Sequence, residues 1–103
     1  MEFGDFGYAL SHLRKGTRLG RKGWESSLHG PMFIVLMPEL YLPAFNTQDT
    51  FIKVNDRTAK HIGEDTALDS QPYIAMFTVD GKWQPGFIPS IADILAHDWY
   101  ILE

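Results

Sequence analysis

The 103-residue sequence has no cysteine. That absence excludes disulfide frameworks, thiolate metal sites and cysteine nucleophiles, and nothing points to an oxidising compartment. Long apolar runs are missing too. The run at residues 32–37 is six residues long, far short of the roughly 20 that span a bilayer. The opening Met-Glu-Phe-Gly-Asp has neither a basic n-region nor an apolar h-region, so no signal peptide is read and a cytoplasmic protein is expected. Positive charge is scarce. Nine Lys/Arg stand against 13 Asp/Glu for a net charge of −4, which argues against a general DNA or RNA binder. There is no G-x-S-x-G elbow, Walker loop, dinucleotide fingerprint or kinase signature. His12, His29, His61 and His97 are scattered, without the spacing of a compact metal site. They read as surface or partly packed side chains, and no metal or cofactor is expected.

What is present is ordinary globular composition, 45% hydrophobic and 21% charged. The length predicts one domain over residues 1–103, able to bury roughly 65% of its unfolded-chain surface. Charge is unevenly spread. Residues 1–23 carry five Lys/Arg and two acids, a balance of +3, and all five cations (Arg14, Lys15, Arg18, Arg21, Lys22) fall within nine positions. The remainder carries four Lys/Arg and 11 acids, a balance of −7. An acidic protein with one basic spot could offer a local site to a small anion.

The periodicity predicts a helix over residues 5–15. Asp5 is its N-cap, Phe6, Ala9, Leu10 and Leu13 form one apolar face, and Gly16 follows the C-terminus. Strands are predicted at 17–21, 32–37, 73–79 and 98–102. Asp80-Gly81 marks a hairpin, from which Trp83 opens the returning strand. Ser90 and Asp93 suggest a capping box for a helix reaching about residue 97. Residues 38–70 are least legible: Asp56 reads as the cap of a short helix ending near Gly63, and 64–70 as a polar loop. The runs at 32–37 and 73–79 read as strands buried on both faces, yet only one substantial helix is there to cover a sheet. A second cover, from the middle segment or from another copy of the chain, is required, and a homo-oligomer is expected.

Two stretches carry candidate chemistry. In Arg18-Leu-Gly-Arg-Lys-Gly-Trp24 an indole lies beside cations and glycines, as base stacking and phosphate contacts need. The same residues also read as a core tryptophan flanked by solvated hairpin charges, and the residues alone leave both open. The other stretch, 78–93, offers Thr78 and Asp80 at a hairpin mouth, Trp83 and Phe87 as aromatic walls, and a helix N-terminus at Ser90 with donors for an anion. Its structural reading is a turn at Asp80 and a cap at Asp93. Glu64, Asp65 and Asp69 read as a solvated acidic loop.

Together the stretches carry a resemblance. Asp5-Phe-Gly-Tyr-Ala-Leu-Ser-His-Leu-Arg-Lys-Gly16 with Arg21-Lys-Gly-Trp24, and Pro72-Tyr-Ile-Ala-Met-Phe-Thr-Val-Asp-Gly81 with Trp83-Gln-Pro-Gly-Phe-Ile-Pro-Ser-Ile-Ala-Asp-Ile-Leu-Ala-His-Asp-Trp99, resemble the two ends of a small phage and prophage family, the second type of Thoeris anti-defence protein. The resemblance implies an α+β fold: a small antiparallel β-sheet with a packed N-terminal helix and a short C-terminal helix, assembled as a homotetramer with ligand pockets between subunits. It implies a sponge that captures a cyclic ADP-ribose isomer unaltered and withholds it from the Thoeris effector; some relatives also hold cyclic dinucleotides. Carried over residue by residue, Trp24 would stack on adenine and Arg21 and Lys22 would lie near the pyrophosphate. Thr78 and Asp80 would hold ribose hydroxyls, while Phe87, Ser90 and Asp93 would line the pocket. This chain departs from the family pattern at Glu25-Ser26-Ser27, where an asparagine usually follows Gly-Trp, and at Phe87, where a tryptophan is usual. The alternatives are a small nucleotide-modifying enzyme and a phage structural or protein-interaction module without a ligand.

Overall fold

The computed structural model describes residues 2–25 and 28–103, so Ser26 and Ser27 of the departing segment lie outside the described residues. The chain divides into two compact units, Met1–Met37 with Tyr73–Glu103, and Pro38–Pro72. In the first unit, α1 (Phe6–Leu13) leads into β1 (Arg18–Arg21) and β2 (Phe33–Met37). The second contributes β3 (Leu40–Leu42), α2 (Asp56–Ile62) and β4 (Leu68–Ser70). The first then resumes with β5 (Tyr73–Phe77), β6 (Trp83–Pro85), α3 (Ile91–Leu95) and β7 (Trp99–Leu102). The α+β class and the antiparallel sheet match the expectation. No helix among the described residues is long and apolar enough to cross a membrane.

The larger unit is built on one five-stranded sheet in the order β6-β5-β2-β1-β7, every pair antiparallel. Register aligns Ile101, Leu19, Ile34 and Met76 across it. Because side chains alternate along a strand, these four share one face. Helix α1 lays Ala9 and Leu13 on that face, and with Leu19, Ile34 and Trp99 they form a core cluster with no exposed surface. The helix starts where a side-chain acceptor is available: the Asp5 carboxylate accepts from the Tyr8 N–H at 2.8 Å. It ends at Leu13, two residues before the predicted limit. The Thr17 N–H turns back to the His12 carbonyl, and Gly16 takes the left-handed conformation (φ +84°) that the turn requires.

The opposite sheet face is aromatic. Phe33 stacks on Phe77 at 5.3 Å, Trp83 meets both edge-on, and the Arg18 guanidinium lies 5.1 Å above the Phe33 ring. The prediction that β2 and β5 are buried on both faces is corrected here. Only Ile34 and Ala75 are fully buried in these two strands, and Trp83 beside them is 54% exposed. Helix α1 covers the Ile34 face; on the other, Ala75 is buried, but Phe33, Val35 and Phe77 are only partly so and Met37 and Tyr73 are exposed.

In the smaller unit, β3 pairs with β4, and Val54 and Ala59 are its buried residues. Two predictions are corrected. Asn55, not Asp56, caps α2, accepting from the Thr58 N–H at 2.8 Å, and Asp56 moves into the first turn. Residues 68–70 form a strand inside the predicted loop, because pairing with β3 supplies the hydrogen bonds that a three-residue pattern cannot announce. Further on, α3 stops at Leu95 because Ala96 turns to extended backbone (ψ 152°).

Leu13 has no exposed surface in the core cluster. Replacing it with alanine removes three buried carbons and leaves a cavity, so Leu13→Ala is expected to lower stability by about 2–5 kcal/mol. The exposed neighbour Arg14, changed to alanine, is expected to cost less than about 0.5 kcal/mol. Urea unfolding of the two variants checks the contrast.

Candidate functional site

Strand β1 ends at Arg21, whose register partner on β7 is Trp99. This pairing brings the residues just before Trp99 next to the Arg21 side chain. Arg21 Nε donates to Asp98 Oδ1 at 2.9 Å, and Nη1 donates to Asp93 Oδ1 at 2.7 Å. Asp93 is held on both oxygens, since Oδ2 accepts from the Ser90 N–H at 2.9 Å while the Ser90 hydroxyl accepts from the Asp93 N–H at 3.1 Å. That reciprocal pair is the predicted capping box, and the Trp99 indole N–H adds a bond to the Asp93 carbonyl at 2.9 Å. One arginine thus ties the end of β1, the start of α3 and the start of β7 together.

The charges respond to this packing. Burial pushes the Asp93 carboxyl up, but the Ser90 backbone N–H, the Arg21 guanidinium and the Ser90 hydroxyl outweigh it and hold the group below the usual carboxylate range. Arg21 is raised, chiefly by its hydrogen bond to Asp98; burial opposes this and Asp93 supports it. The three side chains form a graded series, with Asp93 13%, Arg21 22% and Asp98 32% exposed.

Trp24 follows the turn at Lys22-Gly23. Its N–H donates to the Arg21 carbonyl at 3.0 Å and its carbonyl accepts from the Met32 N–H at 2.9 Å, so its backbone is fixed on both sides. The indole meets Trp99 edge-on at 5.5 Å and Phe87 edge-on at 6.4 Å, and it stays only partly buried. The structural and chemical readings of Trp24 therefore coexist: it packs against the core cluster and keeps part of its surface open. Glu25 follows Trp24 and is exposed. Its carboxylate accepts from the Gly23 N–H. The Tyr100 phenol is raised first by burial and then by Glu25, and it sits beside Gly20 on the other sheet face.

Five sequence-predicted residues, Arg21, Trp24, Phe87, Ser90 and Asp93, are joined contact by contact through Trp99. Lys22 is exposed beside them, its N–H donating to the Asp98 carbonyl at 3.2 Å. Thr78 and Asp80 lie at the same end of the sheet but follow β5, two strands from β1, roughly 10 Å across at ordinary strand spacing. The Thr78 hydroxyl accepts from the Lys82 N–H at 3.3 Å and helps close the hairpin, while Asp80 is exposed. Gly81 (φ +75°) lets this hairpin lie against His29, whose ring a Cβ at that position would approach to 2.8 Å. The helix N-terminus that the sequence offers to an anion is already served by Asp93.

Sequence reasoning missed Asp98 and Trp99 as members of the group. Both close the C-terminal run that carries the resemblance, but only the β1–β7 register brings them to Arg21. A cavity of about 440 Å³ lies elsewhere, between Glu2, Tyr8 and residues Tyr100 to Glu103. Another of about 490 Å³ is lined by Thr47 to Phe51 and Lys53 in the smaller unit. Neither is lined by a sequence-predicted site residue. Among the described residues no group of three His, Asp or Glu side chains could hold a metal ion.

Residues 4–102 match the sequence model of the Tad2-like family, described as the Thoeris anti-defense 2-like domain. No curated protein matches the chain.

The depressed Asp93 carboxyl stabilises the fold above its unfolded value near 3.9, and this stabilisation is lost as pH falls through the lower folded value. Urea midpoints followed from pH 7 to pH 2.5 are expected to fall more steeply below about pH 4 in the parent protein than in Asp93→Asn. Parallel curves would show that Asp93 carries no such linkage.

Proposed function

The chain belongs to the Thoeris anti-defense 2-like family, and from that premise we propose that it performs its anti-defence role as a non-catalytic sponge. In this reading it captures a cyclic ADP-ribose isomer, holds it without altering a bond, and keeps it from the Thoeris effector. The observation that carries the reading is Trp24, whose backbone is held by two hydrogen bonds and whose indole is braced by two aromatic neighbours yet still partly exposed. A flat surface held in one orientation is what a heterocycle stacks on with little ordering cost. Lys22 supplies an exposed cation next to it, suited to the pyrophosphate. Phe87, which meets Trp24 edge-on, would line the pocket with Ser90 and Asp93, and Thr78 and Asp80 would reach the ribose hydroxyls from the neighbouring hairpin. No general base poised over a nucleophile is called for.

Copies of the chain assemble in this proposal, as a tetramer by family resemblance. Two features support association. The sheet face around Phe33, Phe77 and Trp83 lies opposite α1 and leaves Trp83 54% exposed, and α3 leaves Ile91, Ile94 and Leu95 48–76% exposed. Apolar surface of this extent is uncommon on a lone subunit. A partner subunit would also close the open side of Trp24, giving the burial that tight capture of a small polar ligand requires.

The test is retention. The purified protein is mixed with a cyclic ADP-ribose isomer or a cyclic dinucleotide, freed of unbound ligand, and heated, and the released compound is identified. Intact cyclic ADP-ribose isomer is expected, with Trp24→Ala retaining at least about tenfold less, in line with the loss of one base-stacking contact, while keeping the parent's mass in solution. A converted product would make the protein an enzyme, and no retention of either compound would leave an interaction module.

A further inference from the structure

The Arg21 cluster carries an inference that rests on the capture reading and specifies which part of the ligand it meets. Of the three charged groups, Asp93 has both oxygens engaged, one by Arg21 and one by the Ser90 N–H. Asp98 does not. Its Oδ1 accepts from Arg21 Nε at 2.9 Å, but Oδ2 has only a 3.5 Å approach from Nη2, and its side chain is the most exposed of the three. A carboxylate offers about four acceptor sites, so most of the Asp98 capacity is unspent within this cluster. Arg21 also retains N–H donors, since a guanidinium has five and its two short bonds use one at Nε and one at Nη1.

Charge then decides what fits. One guanidinium between two carboxylates leaves the cluster with a net charge of −1. A phosphate at neutral pH is an acceptor without a proton to give, so Asp98 repels it and offers it no bond. A hydroxyl fits, because it donates to Asp98 Oδ2 while its oxygen accepts from an Arg21 N–H. Vicinal hydroxyls on a ribose repeat that pairing with one donor and one acceptor each. We propose that Asp98, steadied by Arg21, is a specificity-determining residue that accepts a ribose hydroxyl of the captured nucleotide, and that the ligand's phosphates are directed away from this cluster toward Lys22. Arg21 is then a positioning residue for Asp98 and not itself the phosphate contact.

The probes are a cyclic ADP-ribose isomer and a derivative in which its free ribose hydroxyls are replaced by hydrogen, titrated calorimetrically into the full-length protein. The parent is expected to favour the hydroxylated probe by about tenfold or more, the scale of a hydrogen bond to a charged group. Asp98→Asn keeps an oxygen for Arg21 but loses the charge, and is expected to bring the two probes to within about threefold of each other. Asp98→Glu, which keeps the charge and displaces the acceptor, serves if the asparagine variant does not fold, and is expected to narrow the preference likewise. Lys22→Gln is expected to weaken both probes equally, by an amount that shrinks as salt is raised. If the parent binds both probes alike, or if the folded Asp98 variants keep its full preference, the assignment of Asp98 is overturned while the capture reading stands. If the parent binds neither probe, the capture reading itself fails and this assignment with it.

Discussion

Arg21 bridging Asp93 and Asp98 is the interaction on which the rest of this structure's working end depends. Three elements distant in sequence converge there: the end of a strand, the N-terminus of a five-residue helix and the start of the last strand. A helix that short has almost no stability of its own. It is specified by its capping box, by the ion pair that anchors the box and by the Trp99 indole bond to its first turn. Exposed ion pairs contribute little to stability. This one is mostly shielded and shares its acceptors with backbone donors, so its larger effect is geometric: it fixes where Asp93, Asp98 and Trp99 sit.

Trp24 belongs to the same construction. Its ring leans edge-on against Trp99, whose own position the network sets. Core packing and presentation of a ligand surface are therefore one problem at this end of the sheet, solved by keeping the indole partly exposed. Glu25, next to it in the chain, has its carboxylate engaged by the Gly23 N–H. The far sheet face, with its stacked Phe33 and Phe77 and exposed Trp83, is where the fold is least self-sufficient, and it gives physical content to the proposal that copies associate.

Local chemistry was legible wherever one short stretch contained all its partners. Asp5 and α1, Gly16, the Asp80-Gly81 hairpin and the Ser90–Asp93 box could each be read without the rest of the chain, because each is settled within about four residues. The middle segment was not legible for the same reason. Its strands are three residues each and gain meaning only from pairing with one another, and Asn55 and Asp56 are equally able to cap a helix. In the candidate site, Trp24 and Arg21 stood out as residue types, but their partners Asp98 and Trp99 lie about 77 positions away from Arg21.

The amino-acid sequence by itself determined the periodic elements, the caps, the exclusion of thiol chemistry and the kind of residues gathered in the basic stretch, because these follow from side-chain identity at short range. Only the tertiary structure decided that the Arg21 guanidinium is engaged by two aspartates, that Asp98 is the more exposed of the two, and that Trp24 is both packed and open. Those facts follow from the antiparallel register of the first and last strands. Register is set by which faces can be buried together across the whole sheet, a condition that no local stretch contains.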